Sequence, residues 1–148
     1  MREAVIVSTA RTPLAKSHRG EFNVTPGAQL AAFSIQAAVQ RAGIDPAMIE
    51  DLVLGCGYPE GTTGRNIGRQ AAVRAGLPIS VGGTVVNRFC ASGLQAIAFA
   101  AGRIIVDGAP AMVAGGVESI SLIRSSNTNP ADADPWLVEH KPELFMAM

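Results

Sequence analysis

Gly83–Gly108 reads GTVVNRFCASGLQAIAFAAGRIIVDG. The stretch divides into three parts. Thr84, Val85 and Val86 are β-branched and form the centre of a strand predicted over 83–89. Asn87 to Gly93 is a turn of small and polar residues around Cys90. Leu94 to Val106 is apolar at helical spacing and is closed by Asp107-Gly108. A strand feeding directly into a helix is part of a β-α-β unit, which places the chain in the α/β class.

The same alternation extends in both directions. Ala4–Ser8 is a β-branched run predicted as the first strand, ended by the loop at Thr12-Pro13. Thr25 is positioned as an N-cap, with Pro26 at the first helical position. Ala28, Ala31, Ile35, Ala38, Val39 and Ala42 then recur at helical spacing. Gly43 stops that helix and Pro46 keeps it from resuming. Asp51–Leu54 reads as a second strand. Asn66 caps a second helix with Ile67, Ala71 and Ala75 on its inner face, closed by Gly76 and Pro78. Ala111–Ala114 is a fourth strand, followed by Gly115-Gly116. The order β-α-β-α-β-α-β implies right-handed crossovers and a largely parallel sheet covered by helices. Continuous apolar strands fit burial on both faces. The Leu94–Val106 helix is apolar around most of its circumference, so it needs a second layer beyond one sheet. After Ser121 the chain turns rich in turn residues, at Ser125–Pro130 and Asp132–Pro135. It then runs through Trp136, Leu137, Phe145 and Met146 to Met148 with no stop signal, so the expectation is a chain that continues in a larger protein.

Composition narrows the function. The 148 residues carry 12 Lys+Arg against 12 Asp+Glu, and charged residues make up 16%, where an average soluble domain has about 25%. With 48% apolar residues, disorder is excluded. No basic excess is present to neutralise phosphates, which argues against a nucleic-acid module. Leu94–Val106 is the richest apolar run, only 13 residues long and interrupted by Gln95 and Arg103, so no membrane span is expected. Arg2 and Glu3 precede a short β-branched run, which is not a signal-peptide pattern. Cys56 and Cys90 make neither a disulfide framework nor a zinc spacing. The expected location is a reducing cytoplasm.

Cys90 is the candidate nucleophile. At a helix N-terminus, unpaired N–H groups and a partial positive charge favour thiolate over thiol. Its own N–H is placed to meet a developing oxyanion. The competing reading is a buried, inert cysteine. Cys56 reads as a small packed residue. The glycines from Gly55 to Gly68 lack a following Gly-Lys-Ser/Thr and do not open from the first strand, so they form an irregular loop and not a phosphate cradle. His18 and His140 lie in polar sequence, which leaves Cys90 without an evident base. Glu118 reads as a carboxylate held in a network.

The segment Val86-Asn87-Arg88-Phe89-Cys90-Ala91-Ser92-Gly93-Leu94-Gln95-Ala96-Ile97 resembles the active-site segment of the thiolases, acetyl-CoA acetyltransferases and 3-ketoacyl-CoA thiolases. Three further stretches agree in order: Thr9–Pro13 with Gly20-Glu21-Phe22, Gly55–Gln70, and Gly115-Gly116-Val117-Glu118-Ser119-Ile120-Ser121. Ile120 stands where the family has Met. The resemblance implies a layered α/β fold with a mixed, mostly parallel sheet and helices on both faces. Residues 1–120 would form most of the first half of a two-half enzyme, and 121–148 the start of an inserted loop domain. It implies acyl transfer between CoA thioesters through acylated Cys90, by Claisen condensation or thiolytic cleavage. Coenzyme A is then a substrate, with no tightly bound cofactor or metal. A second cysteine and a histidine would come from the absent half, and a homodimer or homotetramer is implied. A 3-ketoacyl-acyl-carrier-protein synthase and a non-catalytic scaffold subunit are the alternatives.

Overall fold

The computed structural model describes residues 2–123 and 133–146. Helix α1 spans Gly27–Ala42, strand β1 Ile49–Gly55, helix α2 Ile67–Arg74 and strand β2 Thr84–Val86. Helix α3 spans Ser92–Gly102, strand β3 Ala111–Gly116, and short helices α4 and α5 cover Pro135–His140 and Glu143–Met146. The sheet has three strands in the order β2-β1-β3. Both pairings are parallel, with Val53 opposite Thr84 and Gly55 opposite Gly116.

Strand periodicity builds the layers. Successive side chains of β1 point to opposite faces. Leu52 and Leu54 meet Ala31 and Ile35 of α1 and Ile67, Ala71 and Ala72 of α2 on one face. Val53 meets Val86 of β2 and Ala96 of α3 on the other. From Leu52 to Gly55 the central strand is therefore buried from both sides, as its apolar run there requires.

Most stop and start signals act as their chemistry predicts. Gly43 takes the left-handed conformation and ends α1. Asn66 accepts a hydrogen bond from the Arg69 N–H at 3.0 Å and caps α2. The start of α1 differs from expectation. Thr25 makes no cap bond; the Gly27 N–H is accepted by Thr62 Oγ1, 3.3 Å away on the loop after β1.

The largest departure is at the N-terminus. Ala4–Ser8 is not a strand, so the sheet begins with Ile49, and its described strands all run parallel. A strand needs a hydrogen-bonded neighbour, and among the described bonds the Ala4–Ser8 backbone makes none, although the outer edges of β2 and β3 are open. Val5, Ile6 and Val7 are left 69%, 74% and 69% exposed. The segment is tied down by Arg2, which donates to the Gly108 carbonyl, and by Arg41, which donates to the Thr9 carbonyl. Beneath it lies a cavity of about 940 Å³, walled by α1, α3 and β3.

Helix α3 runs into a π-helical turn, Arg103–Asp107, where Arg103 pairs with Glu50 and Asp107. With the 3₁₀ turn Phe89–Ala91 ahead of it, the helical run reaches 19 residues. By length and composition alone that is enough to cross a membrane. The expected 13-residue run is shorter because it omits the turn around Cys90. Ala96 and Ala100 face the sheet, whereas Leu94, Phe99 and Val106 are exposed. No second layer covers that side among the described residues. Of the tail, Ser125–Pro130 lies outside the described residues.

Candidate active site

Three elements converge on the turn that carries Cys90. Strand β2 ends at Val86, the 3₁₀ turn Phe89–Ala91 follows, and α3 begins at Ser92. Strand β1 ends directly beneath. A Cβ added to Gly55 would sit 2.4 Å from the Ser92 carbonyl carbon, so only glycine lets the strand end pass this close to the helix start.

Within the turn, Phe89 has φ 49°, a left-handed conformation costing roughly 1–2 kcal/mol for a residue with a side chain. Several contacts offset that cost. The Phe89 N–H donates to Asn87 Oδ1 at 2.9 Å, and its carbonyl accepts from Ser92 Oγ at 2.6 Å. The Tyr58 and Phe89 rings meet edge to face, 6.3 Å between centroids. Each hydrogen bond contributes about 0.5–1.5 kcal/mol net, so together they are sufficient to hold the turn. Ser92 Oγ also accepts from the Arg88 N–H at 2.9 Å, and the Ala91 N–H donates to the Arg88 carbonyl at 3.1 Å. Among the described residues, the N–H of Cys90 is the donor the turn leaves unused. Its thiol is exposed.

The loop after β1 lies against this turn. Gly57 N–H donates to Glu118 Oε2 at 2.7 Å, and Tyr58 N–H to Oε1 at 3.2 Å. The Cys56 thiol donates to Glu118 Oε1 at 3.4 Å. Burial first, and the neighbouring Glu118 charge second, push the Cys56 thiol up to about 11. Cys56 is thus a protonated packed residue and not a second nucleophile. Thr63, fully buried, anchors the far side of the loop through the Tyr58 and Glu60 carbonyls. Asn87 Nδ2 donates to the Gly57 carbonyl at 3.0 Å.

Of the residues singled out from sequence, Cys90 and Glu118 are brought into one neighbourhood and the imidazoles are not. The His18 N–H donates to Ser121 Oγ. The His140 ring stacks on Trp136, and its Nδ1 lies 2.9 Å from the Trp136 carbonyl oxygen. Among the described contacts, neither touches the Cys90 turn. Tyr58 and Thr63 were not foreseen, because their roles depend on where the loop folds back and no spacing marks that. The large cavity under the N-terminal segment does not include Cys90 in its lining. No group of three or more His, Cys, Asp or Glu able to hold a metal occurs among the described residues.

Comparison with known proteins gives this turn its context. The family model described as "Thiolase, N-terminal domain" matches residues 4–141. The chain is 41% identical over its whole length to a 3-ketoacyl-CoA thiolase of Bacillus subtilis, covering 38% of that protein. It is 43% identical over 82% of its length to an acetyl-CoA acetyltransferase of Paracoccus denitrificans, covering 31% of it. A 3-oxoadipyl-CoA/3-oxo-5,6-dehydrosuberyl-CoA thiolase of Escherichia coli is 41% identical over a similar span, 30% of its length. The chain therefore spans about a third of the curated relatives it matches. A strand–turn–helix junction presenting an exposed cysteine, in a sequence matched by that family model over nearly all of its length, shows that the chain belongs to the thiolase family, as its N-terminal domain.

Proposed function

We propose that the protein containing this chain is a thiolase-type acyltransferase acting on CoA thioesters. The observation that carries the reading is the exposed Cys90 on the 3₁₀ turn leading into α3, its N–H without a partner among the described hydrogen bonds. The Cys90 thiolate attacks the thioester carbonyl carbon. The carbonyl oxygen becomes an oxyanion and accepts from the Cys90 N–H. Collapse expels the CoA thiolate and leaves acyl-Cys90. A second substrate then takes the acyl group: CoA thiolate gives thiolysis, and the enolate of another acyl-CoA gives condensation. The relatives' printed names, which specify CoA substrates, favour this reading over an acyl-carrier-protein synthase.

The acid/base groups belong to the part of the protein beyond these residues, since His18 and His140 make their contacts elsewhere. Residues 1–120 form the larger part of the first half, and 121–148 open an inserted loop domain. Coenzyme A serves as substrate, in a cytoplasmic homodimer or homotetramer. The test is intact-mass analysis after exposure to acetyl-CoA, with iodoacetamide labelling as a second probe. One acetyl group on Cys90, and protection of Cys90 from iodoacetamide by CoA thioesters, are expected. Labelling indifferent to CoA thioesters, with no acetyl adduct, overturns the reading.

A further inference from the structure

We infer that Glu118 is the positioning residue for the nucleophile turn: its carboxylate clamps the Cys56–Tyr58 loop, and Asn87 passes that placement to Phe89 and Cys90. The inference rests on the acyltransferase reading above.

The connections are continuous. Two backbone N–H groups and one thiol converge on the two carboxylate oxygens. All three partners are donors, so an acceptor-only group is required, and an amide in its place would set a donor against a donor. The loop so held presents the Gly57 carbonyl to Asn87 Nδ2, while Asn87 Oδ1 takes the Phe89 N–H. Gly57 is wedged between the two sides. A Cβ there would lie 3.0 Å from Glu118 Oε2 and 3.4 Å from the Phe89 Cα. Glu118 itself is fixed by its place in the chain. It follows β3 by two residues, and the intervening Val117 N–H is bonded to the Gly55 carbonyl at 3.0 Å. The left-handed Phe89 depends on being held from outside, and its conformation sets the direction of the next N–H in the chain, that of Cys90.

This predicts a division between two reactions at one sulfur. Alkylation by iodoacetamide needs only the thiolate. Thioester acylation also needs the N–H aimed at the oxyanion. In the full-length protein, Glu118→Gln should slow acetyl-CoA acylation of Cys90 roughly 10–100-fold, the scale of a small misplacement. Iodoacetamide alkylation of Cys90 should change by less than about twofold, with the same pH profile. Asn87→Ala removes the link without touching the carboxylate and should give the same split, so the inference is tested even if the Glu118 variant does not fold. Wild-type acylation rates in both variants, or equal loss of both reactions, overturn it. Failure of the wild-type protein to acylate instead overturns the acyltransferase reading on which it rests.

Discussion

Cys90 and Cys56 differ in surroundings more than in chemistry. Cys90 is exposed on a turn and Cys56 is 1% exposed against a carboxylate. Cys90→Ser should lower acyl transfer in the full-length protein by several powers of ten, because a hydroxyl has no comparable anionic population at neutral pH. Steady-state turnover checks this, and a Ser variant keeping more than about a tenth of wild-type activity would rule out the nucleophile. Cys56 bears on stability instead. Its thiol is raised from 9.0 to about 11 in the folded chain, so the unfolded chain loses that proton first. The resulting stabilisation is fully present below pH 9 and is lost as pH rises through about 11. Denaturant titrations between those values should show a downward slope that Cys56→Ser reduces; an unchanged slope would mean the thiol is not held protonated by the fold.

The helices begin by different means. Asn66 caps α2 from the adjacent position and also donates to the Gly83 carbonyl at 2.7 Å. Thr62 caps α1 from 35 residues away, through a longer bond. Asn66→Ala should cost about 1–2 kcal/mol, and Thr62→Ala less. Thermal unfolding ranks the two, and a larger loss for Thr62 would reverse the assignment. The same contrast explains what was legible in the sequence. Local signals such as Asn66, Gly43 and the small residues around Cys90 reported their structures faithfully. Thr25 was misread because the actual cap arrives from another loop. Ala4–Ser8 has strand composition, yet composition does not state whether a neighbouring strand lies within reach to pair with it. The turn that carries Cys90 was legible because its features lie within a few residues. That Glu118 is held in a network was legible too, but its partners were not, because they lie about 60 residues away.

At the scale of the molecule, α3 dominates. One sheet covers one side, leaving Leu94, Phe99 and Val106 72%, 51% and 80% exposed. At ~25 cal/mol per Å², a few such side chains forgo several kcal/mol, a large part of the ~5–15 kcal/mol available to a domain. The 148-residue chain should therefore self-associate at low micromolar concentration, with the Thr84–Asn87 edge near the contact. Sedimentation showing a compact monomer with a sharp melt would contradict this. The same chain should not catalyse thiolysis of acetoacetyl-CoA alone, since neither imidazole contacts the Cys90 turn; turnover by a clean preparation would show that a base is present after all. The tether between Arg2 and Gly108 also bears on synthesis. The apolar run behind Arg2 is made before its anchoring carbonyl, which follows 106 residues later, roughly 5–20 s at ordinary translation rates. Through most of that interval the Arg41 tether to Thr9 is the one anchor available to the segment, so Val5–Val7 is held at one end and open at the other, within reach of a chaperone that grips short extended apolar segments.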